Sequence, residues 1–399
     1  MKIITNQARI EEIFNRGVVA EILPSKTELL DRLAKGEKLK IYFGLDPTAG
    51  TLHLGHAQNL MFLEDLRQLG HEVIVLIGDF TARIGDPSDR QAARPPLTSE
   101  QIKTNVESWL GQLKLLFNFS DTKNPPKLLY NSAWLDSLTL KEIINLAANF
   151  TVQQLLERDM FVRRLADHAP IYLHEFLYPV LQGYDSVAME VNAELCGTDQ
   201  IFNALAGRTL LKRLKSKEKF IIALNLMANP KTGELMSKSR GTGVFLSSPP
   251  NEMYGAIMAE PDEMIEPFYV SCTRLPLADK EKLLALGPRA AKAAVALEIV
   301  KRIYGEAAAG AAEAAFNQTF RDGGLPENIL EINLANETSL VEALITAHVI
   351  DSKSEWRRLI DEGAVRDGEN NKITDPSFAP AETKVLKIGK HRFVKVVVG

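Results

Sequence analysis

The chain's 399 residues exceed what one ordinary hydrophobic core accommodates, so two or three domains are expected. A formal net charge of −4, with 45% hydrophobic and 25% charged residues, is the balance of a globular protein. It argues against a uniformly basic nucleic-acid binder, although a local basic surface remains compatible with it.

No apolar run approaches the roughly 20 residues that a bilayer-spanning helix needs. The opening MKIITNQARIEEIF reads as an amphipathic helix carrying acids, not as a secretion signal. Cys196 and Cys272 form neither a disulfide framework nor a metal-knuckle spacing. A reducing cytoplasm and no protein-held metal are therefore expected.

Helical spacing covers Ile10–Phe14 and Lys26–Leu33, the second after a start signal at Pro24-Ser25. Lys40–Leu45 is a short β-prone run that ends in a Gly/Pro/Thr turn. Apolar residues then recur at helical spacing from Leu54 to Leu69, and Gly70 closes the pattern. Glu72–Ile77 reads as a strand covered on both faces. A Gly/Asp/Pro-rich loop and a helix over Ser99–Phe117 follow.

Further strands are predicted at Lys127–Tyr130, Ala193–Leu195 and Phe220–Leu224. This alternation implies a doubly wound α/β sheet. After Ser247 strand signals stop, and Met253–Ile257 and Asp279–Phe320 read as helical. The expected division is a Rossmann-like domain over 1–246, a helical domain over 247–327, a polar linker over 328–338 and a small α+β domain over 339–399. The last has two short helices and β-prone runs at Val385–Ile388 and Phe393–Val398.

The most informative segment runs from Tyr42 to His56: a strand, a turn, then a helix start. That is where α/β sheets bind nucleotides, with helix N-terminal amides available for phosphate. His53 and His56 fall on one helical turn, and Gly55 between them leaves room for a flat base against the backbone. On spacing alone the pair is equally compatible with two metal ligands or with satisfied core histidines. Far downstream, Leu235-Met-Ser-Lys-Ser239 places a lysine in a loop just past the last strand. A positioned cation there suits the charge that develops as pyrophosphate leaves a nucleotide. Taken alone, it also reads as an ordinary solvated loop.

Together, His53-Leu-Gly-His56 and Met236-Ser-Lys-Ser239 resemble the two signatures of class I aminoacyl-tRNA synthetases. Leu235 departs from that pattern, because it stands where the family usually carries a lysine. Tyr178, Gln182 and Asp185 share one helical face, where an ordinary amphipathic helix would carry Leu or Val. A buried hydrogen-bonded network is the other reading of such a face. With Glu194-Leu-Cys-Gly-Thr-Asp-Gln200, this block is similar to the tyrosyl-tRNA synthetase family.

The resemblance implies that Tyr42 and Asp185 hold a substrate phenol hydroxyl, and that Tyr178, Gln182 and Asp86 hold its α-amino group. Asp46 and Gln200 join this tyrosine set, Gln200 near the substrate carboxylate. It further implies a nucleotide site of Gly44, Asp46, Thr48, His53, Gly55, His56, Gly197, Asp199, Met236 and Lys238. Catalysis would fall to Thr48, His53, His56, Arg90, Arg94 and Lys238. Asp46 also suits an Asx turn before Pro47, and each arginine also suits a surface loop.

Asp351–Val365 resembles an S4-type RNA-binding module, with Lys353, Arg357 and Arg358 as a cationic ridge and Gly363 as a left-handed helix cap. Lys387, Lys390 and Arg392 lie on the basic hairpin such modules carry. A basic solvated helix is the plainer alternative. The resemblance implies L-tyrosine, ATP with Mg²⁺ and tRNA(Tyr) as substrates, no tightly bound cofactor, and a homodimer. Two rival readings lack part of this set: another nucleotidylyltransferase with the same histidine segment, and a non-catalytic RNA-binding protein on a synthetase scaffold.

Overall fold

The computed structural model describes residues 2–87, 97–236, 243–320, 330–334, 339–347, 349–368, 371–389 and 392–398. The chain divides into two compact units, 1–249 with 260–304, and 250–259 with 305–399.

The first unit is built on a six-stranded sheet: β1 (Val19–Leu23), β2 (Lys40–Leu45), β3 (Glu72–Ile77), β4 (Lys127–Tyr130), β5 (Ala193–Gly197) and β6 (Phe220–Leu224), in the spatial order β1-β6-β5-β2-β3-β4. All neighbours pair in parallel except β1, which runs antiparallel to β6 at the edge. The chain winds outward from β2 through β3 to β4, then returns to β5 on the other side of β2 and continues to β6. The order reverses between β2 and β5, and a crevice opens at such a switch point beyond the strands' carboxyl ends.

Strand composition follows burial. β5 and β6 are buried along their whole length, and β3 is buried from Val73 to Ile77. That suits the near-continuous apolar runs of parallel strands covered on both faces. The edge strand β1 (VAEIL) was missing from the predicted elements, because Glu21 interrupts its apolar pattern and only Ile22 is fully buried.

The helix Leu54–Gln68 is buried over most of its surface, and Gly70 just beyond it takes φ +101°. The helix Leu173–Met189 carries Tyr178 and Asp185 on its buried face. The helical expectation over Asp279–Phe320 resolves into Lys280–Leu284, Pro288–Tyr304 and Glu306–Phe320, broken where Gly287 and Gly305 adopt φ of +87° and +90°. No helix among the described residues is long and apolar enough to cross a membrane.

The second unit contains a four-stranded sheet of β7 (Leu330–Leu334), β8 (Val365–Asp367), β9 (Lys384–Ile388) and β10 (Arg392–Val398), ordered β7-β10-β9-β8. β9 is antiparallel to both its neighbours, and β7 runs parallel to β10. The helices Leu340–Thr346 and Lys353–Asp361 supply Leu344, Trp356 and Ile360 to a core shared with Leu386, Val394 and Val396. Residues 330–334, expected within a linker, are a strand of this sheet. Ile332 and Leu334 face inward, while the alternate residues Glu331 and Asn333 lend the segment its polar look. Gly363 takes φ +63° after its helix, as its cap position requires.

Candidate active site

A cavity of about 350 Å³ sits at the switch point. Its lining brings together nearly every core residue singled out from the sequence: Tyr42, Gly44, Asp46, Thr48, His53, Gly55, His56, Asp86, Tyr178, Gln182, Asp185, Gly197, Asp199, Gln200 and Met236. Arg90, Arg94 and Lys238 lie outside the described residues. The departing residue, Leu235, also lines the cavity.

The inner end is formed by β2, β5 and the helix Leu173–Met189. Tyr42 is fully buried, and Asp185 and Tyr178 are nearly so. Asp185 accepts hydrogen bonds from Trp134 Nε1 at 2.7 Å and Asn131 Nδ2 at 3.3 Å. Burial pushes its carboxyl well above the usual carboxylate range, while those two donors oppose the shift. Burial likewise raises the hydroxyls of Tyr42 and Tyr178, with the nearby carboxylates adding to it. Tyr178 donates to Asp46 Oδ2 at 2.9 Å, and Thr81 Oγ1 donates to Asp46 Oδ1 at 2.7 Å. A side chain on Gly78 would collide with the Asp46 carboxylate, so this approach requires glycine. On the cavity's flank, Gln200 Nε2 donates to Asp86 Oδ2, and Asn203 Nδ2 donates to Gln200 Oε1 at 2.8 Å.

The outer end is the start of the helix Leu54–Gln68. His53 is its N-cap residue: His53 Nδ1 accepts from the Gly55 N–H at 3.2 Å, and His56 Nδ1 accepts from the His53 N–H at 3.2 Å. The rings lie 3.9 Å apart at 37°. Burial lowers His53 to about 4, and burial with the neighbouring ring lowers His56 to about 3, so both are neutral at pH 7. With each Nδ1 accepting, Nε2 carries the proton of each neutral ring. Among the described residues no cluster of three or more His, Cys, Asp or Glu side chains could hold a metal ion.

The segment around the second signature is tied to this helix start. Leu54 N–H donates to Val244 O at 2.9 Å, Leu246 N–H donates to Leu52 O at 2.8 Å, and His53 bridges Phe245. Met236 reaches the cavity from the other flank of residues 237–242.

One cavity thus joins a buried polar end to two imidazoles at a helix start. A profile of the tRNA synthetases class I (W and Y) matches residues 34–321. The chain is 41% identical over 370 residues to the tyrosine–tRNA ligase of Bordetella pertussis, covering 91% of this chain and 89% of that one. The chain belongs to the tyrosine–tRNA ligase family of class I tRNA synthetases.

Similarity extends to the Ralstonia nicotianae tyrosine–tRNA ligase, at 40% identity over 97% of this chain and 100% of that one. For the Thermotoga maritima tyrosine–tRNA ligase it is 38%, with 97% of both chains covered. Among solved structures, a C-terminally truncated mitochondrial tyrosyl-tRNA synthetase of Aspergillus nidulans superposes with a TM-score of 0.65. It is 24% identical, covering 78% of this chain and 94% of that one, and bears on the fold alone.

Several residues in and around this cavity belong to no sequence motif that assigns them a role. Trp134 and Asn131 follow β4 in a segment without a motif, and only their contacts with Asp185 reveal them. Glu194 and Lys219 did leave a signal, a charged residue inside a fully buried strand and another immediately before one. They form a buried ion pair through Lys219 Nζ and Glu194 Oε2.

In the second unit, Lys353, Arg357 and Arg358 share the helix Lys353–Asp361. Lys353 pairs with Glu342 at 2.9 Å and Arg358 with Glu362 at 3.0 Å, both exposed pairs that an incoming phosphate can compete with. Arg392 is turned into its own domain, donating to Val349 O and to Glu355 Oε1, the latter at 2.9 Å. Lys387 lies over the Phe393 ring at 5.5 Å. Lys390 lies outside the described residues.

Proposed function

We propose that this cavity activates L-tyrosine with ATP, forming tyrosyl-adenylate and pyrophosphate, and then passes the tyrosyl group to the 3′-terminal ribose of tRNA(Tyr). One observation carries the reading. A buried Tyr42–Asp185 end and a His53–His56 end line a single cavity at the β2/β5 switch point.

Each end has its chemistry. Tyr42 and Asp185 hold the phenol hydroxyl, and phenylalanine would deprive both buried groups of that additional hydrogen bond. Tyr178, Gln182, Asp86 and Asp46 take the α-ammonium, and Gln200 the carboxylate side. The neutral histidines and Thr48 face the triphosphate, where N–H and O–H donors stabilise charge as it moves to the leaving pyrophosphate. Gly44, Gly55, Gly197, Asp199 and Met236 border the nucleoside. Arg90, Arg94 and Lys238 supply cations to the phosphates, and Leu235 leaves Lys238 the larger share. Magnesium enters with ATP as part of that substrate. No protein nucleophile is needed, because the attacking carboxylate and hydroxyl belong to the substrates, and rate comes from positioning.

The catalytic work falls to 1–246 and RNA binding to 339–399 together with β7, with 247–327 as a separate domain between them in the chain. There Lys353, Arg357, Arg358, Lys387, Lys390 and Arg392 meet tRNA phosphates. The protein works in the cytoplasm as a homodimer. The segment 140–173 supports this assembly: it exposes Leu140, Ile144, Val152, Val162, Leu165 and Leu173, the first and last at 73% and 80%. Sedimentation at micromolar concentration is expected to give a dimer that Leu173→Asp weakens.

The test of the activity is exchange of labelled pyrophosphate into ATP. Exchange dependent on tyrosine, and not driven by phenylalanine or tryptophan, is expected. Exchange independent of any amino acid would point to a different nucleotidyl transfer, and no exchange would end the synthetase reading.

A further inference from the structure

Gln182 and Tyr42 are joined behind the substrate by three further polar groups, Glu194, Lys219 and Ser186, that the proposed reaction does not use directly. Gln182 Nε2 donates to Glu194 Oε1 at 3.0 Å. Glu194 Oε2 is paired with Lys219 Nζ, which also donates to Ser186 Oγ at 2.9 Å. Ser186 Oγ lies 3.1 Å from the Tyr42 hydroxyl. Lys219 and Ser186 are fully buried, and Glu194 nearly so. The fold makes room for the ammonium at Gly207, where a Cβ would stand 2.5 Å from Lys219 Nζ and 2.7 Å from Ser186 Oγ.

A buried ion pair is a poor source of stability, since desolvating both charges offsets most of their attraction. Its position suggests another use. An amide side chain has a donor end and an acceptor end, and a carboxylate can only accept. With Glu194 engaged by Lys219 as an acceptor, the NH₂ of Gln182 faces it, and Gln182 Oε1 is the end left for the cavity.

We propose that the Lys219–Glu194 pair is a positioning device that fixes the amide polarity of Gln182, so that an acceptor and not a donor meets the substrate's α-ammonium. The inference rests on the tyrosine reading above. Lys219 touches no substrate; it acts through Glu194 and Gln182.

The chemistry makes an unusual set of demands. In E194Q, Lys219 still requires an acceptor and takes the new Oε1. The new NH₂ then points at Gln182, whose amide must turn over and present NH₂ to the ammonium. In K219M the cation that holds Glu194 to accepting alone is gone, and since a neutral carboxyl offers both an O–H and a C=O, the polarity of the Gln182 amide is no longer fixed. In K219M/E194Q neither constraint remains, no charge is buried, and the amide at 194 is free to offer Oε1 again.

The test compares tyrosine KM in pyrophosphate exchange with competitive inhibition by tyramine, which keeps the ammonium, and by 3-(4-hydroxyphenyl)propionate, which lacks it. E194Q is expected to raise tyrosine KM and the tyramine inhibition constant about tenfold or more, and K219M, which only releases the constraint, by less. The propionate's constant is expected to stay within about twofold, the margin of an untouched phenol contact. The double variant is expected to recover most of the loss. Parallel weakening of both inhibitors, or a double variant no better than E194Q alone, would overturn the proposal and leave the pair a packing element. If the unmodified enzyme showed no tyrosine-dependent exchange, the functional reading would fail before this comparison began.

Discussion

The two ends of the cavity solve opposite problems. At the inner end Asp185, Tyr42 and Tyr178 are withdrawn from water, and each already has a partner in the protein: Trp134 and Asn131, Ser186, and Asp46. At the outer end His53 and His56 are only partly buried, uncharged, and held by backbone bonds of one helix turn. Reading a phenol hydroxyl needs fixed groups in a low-dielectric site, where an unmatched partner is costly. Handling a triphosphate needs accessible N–H donors beside the cations that meet its charge.

The largest expected effect comes from breaking the inner end. Asp185→Ala removes the carboxylate and leaves Trp134 Nε1 and Asn131 Nδ2 facing a hole. Tyrosine-dependent kcat/KM in pyrophosphate exchange is expected to fall roughly a hundredfold or more, with ATP binding retained. An unchanged value would remove Asp185 from the account.

At the outer end His56→Asn keeps an acceptor for the His53 N–H and removes the ring. Here kcat for adenylate formation is expected to drop about tenfold to a hundredfold, with tyrosine KM little changed. A loss confined to tyrosine KM would show that the two ends are not separate in function.

A third perturbation leaves both ends alone. Arg357→Glu with Arg358→Glu is expected to weaken tRNA charging by about tenfold, while pyrophosphate exchange stays at its original rate. Equal loss of both would give the second unit a part in activation.

The smallest effect is on stability. His53 sits at about 4 and His56 at about 3, against the usual 6.5. Between pH 6.5 and these values the unfolded chain binds protons that the folded chain refuses. Stability present above pH 6.5 is therefore lost as the pH falls through that window. Burial holds His71 at about 4, and it adds to the same trend. Between pH 7 and 4.5 the Tm of the His56→Asn variant is expected to fall less than that of the parent, by about 2–5 °C. Identical slopes would mean that His56 is not held neutral.

The contrast between the ends also explains what could be read from sequence. The outer end is local: His53, Gly55 and His56 follow one strand and one turn, so a single stretch of chain specifies it. The buried parallel strands were equally plain, because both their faces are apolar. The inner end is assembled from β2, β5, the helix Leu173–Met189 and the segment after β4. Tyr178, Gln182 and Asp185 were legible because helical spacing aligned them. Trp134 and Asn131 were not, since nothing along the chain links them to Asp185. β7 was lost to its polar outward face, although Ile332 and Leu334 kept the period of a half-buried strand. The pairing of Glu194 with Lys219 is a tertiary fact, signalled only by charge where a strand should be apolar.

The most direct measurement is a crystal structure with a non-hydrolysable tyrosyl-adenylate analogue. The phenol oxygen is expected within hydrogen-bond reach of both Tyr42 and Asp185, with the ammonium beside Gln182 and Tyr178 and the adenosine end running toward His53 and His56. A tyrosyl ring seated elsewhere, or a nucleotide bound away from the start of the helix Leu54–Gln68, would contradict the account.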